Sequence, residues 1–188
     1  MNGAAEPSLA AKVVAIHHAL DQAGLPHALG GALALAYHGE PRATVDIDVN
    51  VFVPPSDAGK VGEILRTLDV DLDGLAAAER DGQVRLWWGR TPVDLFFDYD
   101  DVHTAMANHV EHVPFAGTQI PILSAEDLVF CKTVFDRPKD WIDIDQMLAA
   151  AGPRFDIARV RSMVDRIVGP DDDRRRHLDK VAERHLRR

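Results

Sequence analysis

Residues Val45–Val53 read Val-Asp-Ile-Asp-Val-Asn-Val-Phe-Val, and this stretch decides the fold class. Apolar residues occupy the odd positions, while Asp46, Asp48 and Asn50 fall on even ones, as in a half-buried strand. The two carboxylates therefore share one face. Neighbouring like charges repel, and a hard divalent cation such as Mg²⁺, which prefers oxygen ligands, would remove that repulsion. The stretch predicts a metal-binding strand, with a plain polar outer face as the alternative.

A double glycine lies upstream of this strand. A short strand at His27–Leu29 runs into Gly30-Gly31, and a helix follows from about Ala32. Backbone N–H groups at the start of a helix, together with the positive end of its dipole, can contact a phosphate closely. The glycine pair is therefore a candidate phosphate-binding turn, and a plain tight turn is the alternative.

A third carboxylate is expected on a hairpin downstream. Two strand-like runs, Gln83–Trp88 and Pro92–Phe97, flank the turn residues Gly89-Arg90. Asp94 is the polar residue of the second run and would complete the ligand set. Its nearby rivals are Asp98, Asp100 and Asp101.

The helical periodicity after Ser124 differs from the mixed pattern before it. We expect an α/β (α+β) fold, in which a mixed β-sheet with flanking helices forms a core over residues 1–122. A helical C-terminal subdomain, residues 123–188, would pack on that core. Its expected helices begin at Ser124 and then cover about Pro138–Ala150, Ile157–Val168 and Arg174–Arg187.

Composition restricts the functional classes. The chain has 188 residues, 46% of them hydrophobic, and a net charge of −9, which disfavours indiscriminate nucleic-acid binding. Arginines nevertheless crowd the C-terminus, either as an RNA-binding patch or as the solvated face of a helix. A single cysteine, Cys131, and the absence of a leader or an apolar span predict a cytoplasmic protein without membrane contact. The arginines are Arg174, Arg175, Arg176, Arg184, Arg187 and Arg188.

Taken together, these motifs resemble the polymerase-beta-type nucleotidyltransferase superfamily. The residues that carry this resemblance are Gly30-Gly31, Arg42-x-Thr44-x-Asp46-Ile-Asp48 and Asp94. A second group resembles the AbiEii and MenT-type toxins of bacterial toxin–antitoxin systems. That group is Glu126-Asp127-Leu128, Lys132 and Arg137-Pro-Lys139-Asp140-x-x-Asp143.

The resemblance implies specific roles for these residues. Asp46, Asp48 and Asp94 would bind two Mg²⁺ ions and act in catalysis together with Lys132 and Asp140. The nucleotide-binding set would be Gly30, Gly31, Arg42, Thr44, Lys132 and Asp143. Two alternatives stay open: Arg42 could pair with Asp46 or Glu40 instead of a phosphate, and Lys132 could form a structural bridge to an aspartate between two helices.

The implied reaction is transfer of a nucleoside monophosphate from an NTP to the 3′ end of tRNA, which blocks translation. An antitoxin protein would be the partner. One rival is a nucleotidyltransferase acting on an aminoglycoside or on a protein hydroxyl. Another is a catalytically silent nucleotidyltransferase-like module that only binds a partner.

Overall fold

A computed structural model of the chain describes residues 6–152 and 154–186. The chain divides into two units. The first consists of Met1–Gly30 and Thr44–Ile122, and the second of Gly31–Ala43 and Leu123–Arg188. The division into a core of residues 1–122 and a helical subdomain of residues 123–188 stays a prediction. In the structure, Gly31–Ala43 groups with the C-terminal helices.

Helices and strands are interspersed in the first two thirds of the chain, and helices alone follow. In chain order the elements are α1 (Leu9–Gln22), β1 (His27–Leu29), α2 (Gly31–His38), β2 (Ile47–Val51), α3 (Ala58–Arg66), α4 (Ala78–Asp81), β3 (Gln83–Trp88), β4 (Thr91–Phe97), α5 (Asp101–Met106), β5 (Glu111–Phe115), β6 (Thr118–Ile122), α6 (Ala125–Phe135), α7 (Pro138–Ala150), α8 (Ile157–Val168) and α9 (Asp173–His185).

All six of these strands belong to one sheet in the first unit. Their order is β3-β4-β2-β1-β6-β5. The pairs β2–β4 and β1–β6 are parallel, and the other neighbouring pairs are antiparallel. The predicted mixed sheet with flanking helices is therefore confirmed.

Helix α1 shows how the sequence sets its own limits. The Ser8 side chain accepts a hydrogen bond from the backbone N–H of Ala11 at 3.2 Å, which satisfies an otherwise unpaired amide. Val13, Ile16 and Leu20 recur at helical spacing and are fully buried. Gly24 follows with a φ of 68°, a left-handed conformation that suits glycine and stops the helix.

The strand that carries the carboxylates is shorter than predicted. Val45, expected to be its first residue, is 70% exposed and precedes β2. The Thr44 hydroxyl accepts a hydrogen bond from the backbone N–H of Asp46 at 3.1 Å, and this local turn replaces strand pairing there. Strand pairing begins at Ile47.

The second unit is a bundle of helices. Helix α2 packs against α6 and α7, and α6 also packs against α8 and α9. Helices α7 and α8 have the predicted bounds, since Pro138 starts α7 at a position that needs no N–H, and Gly169 follows α8. The bundle core includes Ala34, Leu35, Leu128, Ile144, Val164 and Leu178, all at most 1% exposed.

Candidate active site

The side of β2, β4 and β3 that carries carboxylates is here called the acidic face, and it comprises Asp46, Asp48 and Asp94. Asp48 on β2 lies directly opposite Asp94 on β4 in the parallel register. Neighbouring strands are about 4.8 Å apart, so these two side chains are immediate neighbours. Asp46 precedes Asp48 by two positions and shares its side of the chain.

Sequence reasoning missed a cation on this face. Arg85 on β3 lies directly opposite Asp94 in the antiparallel register. Its Nε donates to Asp94 Oδ1 and its Nη2 to Asp94 Oδ2, both at 2.7 Å, and Nη2 lies 4.0 Å from Asp46 Oδ2. The hydrogen bonds to Asp94 raise the pKa of Arg85 well above its ordinary value, and the charges of Asp46 and Asp48 add to this effect.

The sequence did contain a signal for this pair. The hairpin between β3 and β4 has the two-residue loop Gly89-Arg90, and Gly89 has a φ of 60°, as the first loop position of a type II′ hairpin requires. A two-residue loop pairs Trp88 with Thr91, and counting back along both strands pairs Arg85 with Asp94. The predicted hairpin was therefore sufficient to place a guanidinium beside the third carboxylate.

The acidic face fits a hard divalent ion by the chemistry of its donors. It offers carboxylate oxygens, the ligands that Mg²⁺ prefers, and it already attracts a cation in the form of Arg85. With Arg85 bound to Asp94, no group of three or more His, Cys, Asp or Glu side chains in residues 6–152 and 154–186 has the arrangement to hold a metal ion. Because both Asp94 oxygens accept hydrogen bonds from Arg85, an ion that uses Asp94 must displace this guanidinium.

The rivals of Asp94 have structural contacts. Asp98 accepts hydrogen bonds from the Thr104 hydroxyl at 2.9 Å, and Asp100 caps α5 by accepting from the Val102 amide at 2.8 Å. Asp101 is the first residue of α5. Asp94 alone of the four is on the strand that pairs with Asp48.

The glycine pair has one amide already in use. The Gly30 N–H donates to the Asp48 carbonyl oxygen at 2.9 Å, as part of the sheet. Gly31 has a φ of 53° and begins α2, so it adopts a backbone conformation that other residues rarely adopt. The proposed phosphate contact therefore falls to the amides at the start of α2 rather than to Gly30.

A cavity of about 370 Å³ adjoins Thr44 in the first unit. Glu6 and Arg90 are its charged lining residues, and Glu6 also accepts a hydrogen bond from Lys12 Nζ at 2.5 Å. The Lys12 contact, followed by the backbone N–H of Arg90, lowers the pKa of Glu6 to about 2. The apolar part of the lining is Pro7, Leu9 and Val45, and Thr44 and Thr91 complete it.

The second unit contains a buried charge network, here called the Lys132 cluster. Lys132 Nζ donates to Asp143 Oδ2 at 2.6 Å and lies 3.8 Å from Asp140 Oδ1. Arg42 donates to Asp143 at 3.3 Å, a partner that sequence reasoning did not consider. Arg137 donates to Asp140 at 2.6 Å. Lys132, Asp140 and Asp143 are each at most 3% exposed, so each charge is buried with its counter-charge.

The arginines of the C-terminal helix are largely neutralised by neighbouring acids. Arg174 donates to Asp172 at 2.8 Å, and Arg184 lies 2.9 Å from Asp145. Arg175 pairs with Asp179 and Arg176 with Asp173. Arg187 and Arg188 lie outside the described residues. The predicted RNA-binding patch therefore carries much less net charge than its arginines alone indicate.

The three tryptophans occupy different environments. Trp87 on β3 is 46% exposed and lies on the same side of its strand as Arg85. Trp88 is half-buried, with Lys12 Nζ 5.5 Å from its ring centroid. Trp141 stacks on His177 with 3.9 Å between ring centroids.

Comparison with known proteins identifies the family. The family described as nucleotidyl transferase AbiEii toxin, of type IV toxin–antitoxin systems, matches residues 17–187. The chain belongs to this family. It is therefore a nucleotidyltransferase of the toxin class, and the resemblance inferred from its motifs is confirmed. No curated protein matches the AbiEii-family chain.

Solved structures of low sequence identity share the fold of the AbiEii-family chain. The antibiotic-resistance factor ANT(2″)-Ia has a TM-score of 0.59 and 17% identity, over 95% of this chain and 97% of that one. An antigenic nucleotidyltransferase-like protein from Paracoccidioides brasiliensis has a TM-score of 0.53 and 14% identity, over 91% and 92%. The lincosamide adenylyltransferase LnuA has a TM-score of 0.50 and 12% identity, over 74% and 96%. These TM-scores indicate a common fold, and at such low sequence identity the likeness concerns the fold alone.

Each helix in the described part of the chain is too short or too polar to cross a bilayer.

Proposed function

We propose that this chain transfers a nucleoside monophosphate from an NTP to the 3′ end of tRNA and thereby blocks translation. In the reaction, the acceptor hydroxyl oxygen bonds to the α-phosphorus, the α–β phosphoanhydride bond breaks and pyrophosphate leaves. The observation that carries the proposal is the acidic face of an AbiEii-family chain, where Asp48 and Asp94 are direct neighbours on paired strands.

Asp46, Asp48 and Asp94 would hold the metal, which we propose to be two Mg²⁺ ions. When bound, such ions stabilise the charge that develops on the phosphates and lower the pKa of the attacking hydroxyl. Asp48 and Asp94 lie on β2 and β4, strands whose apolar side is fully buried, and Asp46 directly precedes β2.

The remaining sequence-predicted residues have proposed roles in nucleotide binding. Thr44 precedes β2, and we propose that its hydroxyl, which accepts a hydrogen bond from the Asp46 amide, also contacts phosphate. In the second unit, Lys132 would bind nucleotide phosphate, and Asp143 would orient its ammonium through the 2.6 Å hydrogen bond. Asp140 would support that arrangement through Arg137, and Arg42 has a 35% exposed side chain that can reach a ligand.

Trp87 supports an acceptor that carries a base. Its half-exposed ring lies on β3, the strand next to β4, which carries Asp94. An exposed aromatic ring can stack any base, with a contribution of about 1 to 3 kcal/mol.

A cationic small molecule such as an aminoglycoside is the second candidate acceptor. The net charge of −9 favours a cationic acceptor over a long RNA duplex. The arginines of α9 do not offset this charge, because they are paired with acids and so do not form a basic surface for phosphates. A protein hydroxyl is the remaining alternative. For the tRNA reaction we expect a cytoplasmic location, where NTP and tRNA both occur, and restraint by an antitoxin protein, as the toxin family implies.

The test uses purified protein with Mg²⁺, each radiolabelled NTP in turn and total tRNA, and follows the label into RNA on a gel. Asp48→Asn, which removes a ligand charge without changing volume, should lower transfer by about 100-fold or more. Asp73→Asn, at an exposed aspartate outside the acidic face, is the matched control and should remain active. Label on an added aminoglycoside or on protein, with none on RNA, would show that tRNA is not the acceptor and would identify the acceptor that takes its place.

A further inference from the structure

Two carboxylates of the acidic face, Asp94 and Asp46, already lie beside a cation from the same chain. The planar Arg85 guanidinium forms two parallel hydrogen bonds with Asp94, both at 2.7 Å. This bidentate geometry is among the stronger forms of ion pairing in proteins. Both Asp94 oxygens are engaged in it, and Asp46 faces the same guanidinium at 4.0 Å.

A metal ion and this guanidinium require the same oxygens. An ion held by Asp94 must take at least one oxygen from Arg85, and a guanidinium left beside the ion would be repelled by it. The Arg85 side chain is 52% exposed, whereas that of Asp94 is 16% exposed. Arg85 therefore has a path into solvent, while Asp94 stays on its strand.

We propose that Arg85 is the internal counter-cation of the acidic face: it binds Asp94 and Asp46 in the metal-free protein, gives them up when a divalent ion binds, and so lowers the affinity for that ion. This inference rests on the acidic face being the metal site of the proposed function. In this role Arg85 is a positioning residue, because it holds the Asp94 carboxylate in an ion pair and offsets its charge until the ion replaces it. The ion binds by exchange with a charge rather than into a vacant cluster.

The chain supplies a matched control for this contact. Arg80 binds Asp81 with the same geometry, Nε to Oδ1 and Nη2 to Oδ2, both at 2.7 Å. The pair lies at α4 and includes no residue of the acidic face. Arg80→Gln removes the same charge and the same kind of ion pair as Arg85→Gln, so any difference between them reports on the acidic face.

The experiment titrates the full-length protein with Mn²⁺, without nucleotide or RNA, and measures free Mn²⁺ by electron paramagnetic resonance. Arg85→Gln should bind Mn²⁺ roughly tenfold more tightly than wild type, since the ion no longer displaces a partly exposed ion pair. Arg80→Gln should match wild type. Arg85→Lys, which retains the charge but cannot form the bidentate pair, should lie between them, and it carries the test if Arg85→Gln does not fold.

A second comparison links the effect to Asp94. In the Asp94→Asn background, adding Arg85→Gln should change the Mn²⁺ affinity much less than it does in wild type, because the shared partner is gone. Equal or weaker Mn²⁺ binding by Arg85→Gln would overturn the inference, as would an equal gain in Arg80→Gln. A protein that transfers no nucleotide, yet gains Mn²⁺ affinity on Arg85→Gln, would refute the proposed reaction and support this inference.

Discussion

Replacing Lys132 with methionine tests whether the Lys132 cluster stabilises the second unit. Lys132 and Asp143 are each 3% exposed, and their 2.6 Å hydrogen bond is the shortest contact of either group within the cluster. Removing one partner of a buried pair leaves an uncompensated charge, which typically destabilises a protein by about 3 to 5 kcal/mol. Arg42 remains at 3.3 Å from Asp143, so we expect the lower end, about 3 kcal/mol.

The partner variant has a smaller expected effect. Asp143→Asn leaves Lys132 with Asp140 at 3.8 Å, and we expect a loss of about 2 kcal/mol. The double variant should lose about as much as Lys132→Met alone, because the two changes remove one shared interaction. The coupling energy between the positions should then be about 2 kcal/mol.

Urea unfolding followed by circular dichroism measures these free energies. Lys180→Met is the matched control, since Lys180 is an exposed lysine in the same unit, and its change should stay within about 0.5 kcal/mol. A coupling below about 0.5 kcal/mol would refute the structural role. If Lys132→Met loses nucleotidyl transfer but keeps its free energy of unfolding, the structural role is refuted and the role of Lys132 in phosphate binding is supported.

Three further predictions concern other sites. His17 Nδ1 and His27 Nε2 are 2.9 Å apart, and burial lowers the pKa of His27 below its ordinary 6.5. The free energy of unfolding should therefore keep its full value above pH 6.5 and fall as the pH drops below 6.5. In urea titrations this fall should be smaller in His27→Asn, with His18→Asn as the control. Ser124→Ala removes the hydroxyl that caps α6 and donates to Asp127 at 2.7 Å. In the same assay it should lower the free energy of unfolding by about 2 kcal/mol, whereas Ser124→Thr should retain most of the wild-type stability. Trp87→Ala should raise the KM for the RNA acceptor about tenfold while the KM for NTP stays unchanged, and Trp87→Phe should raise the acceptor KM less. Equal acceptor KM values for wild type and both variants would exclude base stacking at Trp87.

Local signals predicted most of the elements, because their causes lie within a few residues. Helix α7 starts at Pro138, and α6 is capped by Ser124, as expected from capping and proline rules. The hairpin strands β3 and β4 were predicted to within one residue, since Gly89-Arg90 marks the turn. Strand β2 was predicted too long, because alternation continues through Val45 although a side-chain turn has replaced pairing there.

The contacts of the candidate site were harder to predict because they join distant parts of the sequence. Arg42 and Asp143 are 101 residues apart, and no local pattern links them. Arg85 and Asp94 are only nine apart, and the two-residue loop of the hairpin sets the register that joins them. The sequence pattern identifies the three carboxylates of the acidic face. Their pairing with a positive charge depends on β3, the strand beside β4, because β3 carries Arg85.

The path of the chain between the two units has a consequence for its folding during synthesis and for its susceptibility to proteolysis. The backbone leaves the first unit after Gly30, returns at Thr44 and leaves again after Ile122. Helix α2 is synthesised early, yet its packing partners α6 and α7 emerge from the ribosome roughly 90 and 105 residues later. A nascent or prematurely terminated chain ending near residue 122 would expose the apolar surface around Ala34 and Leu35, and such a fragment should be a substrate for chaperones and proteases.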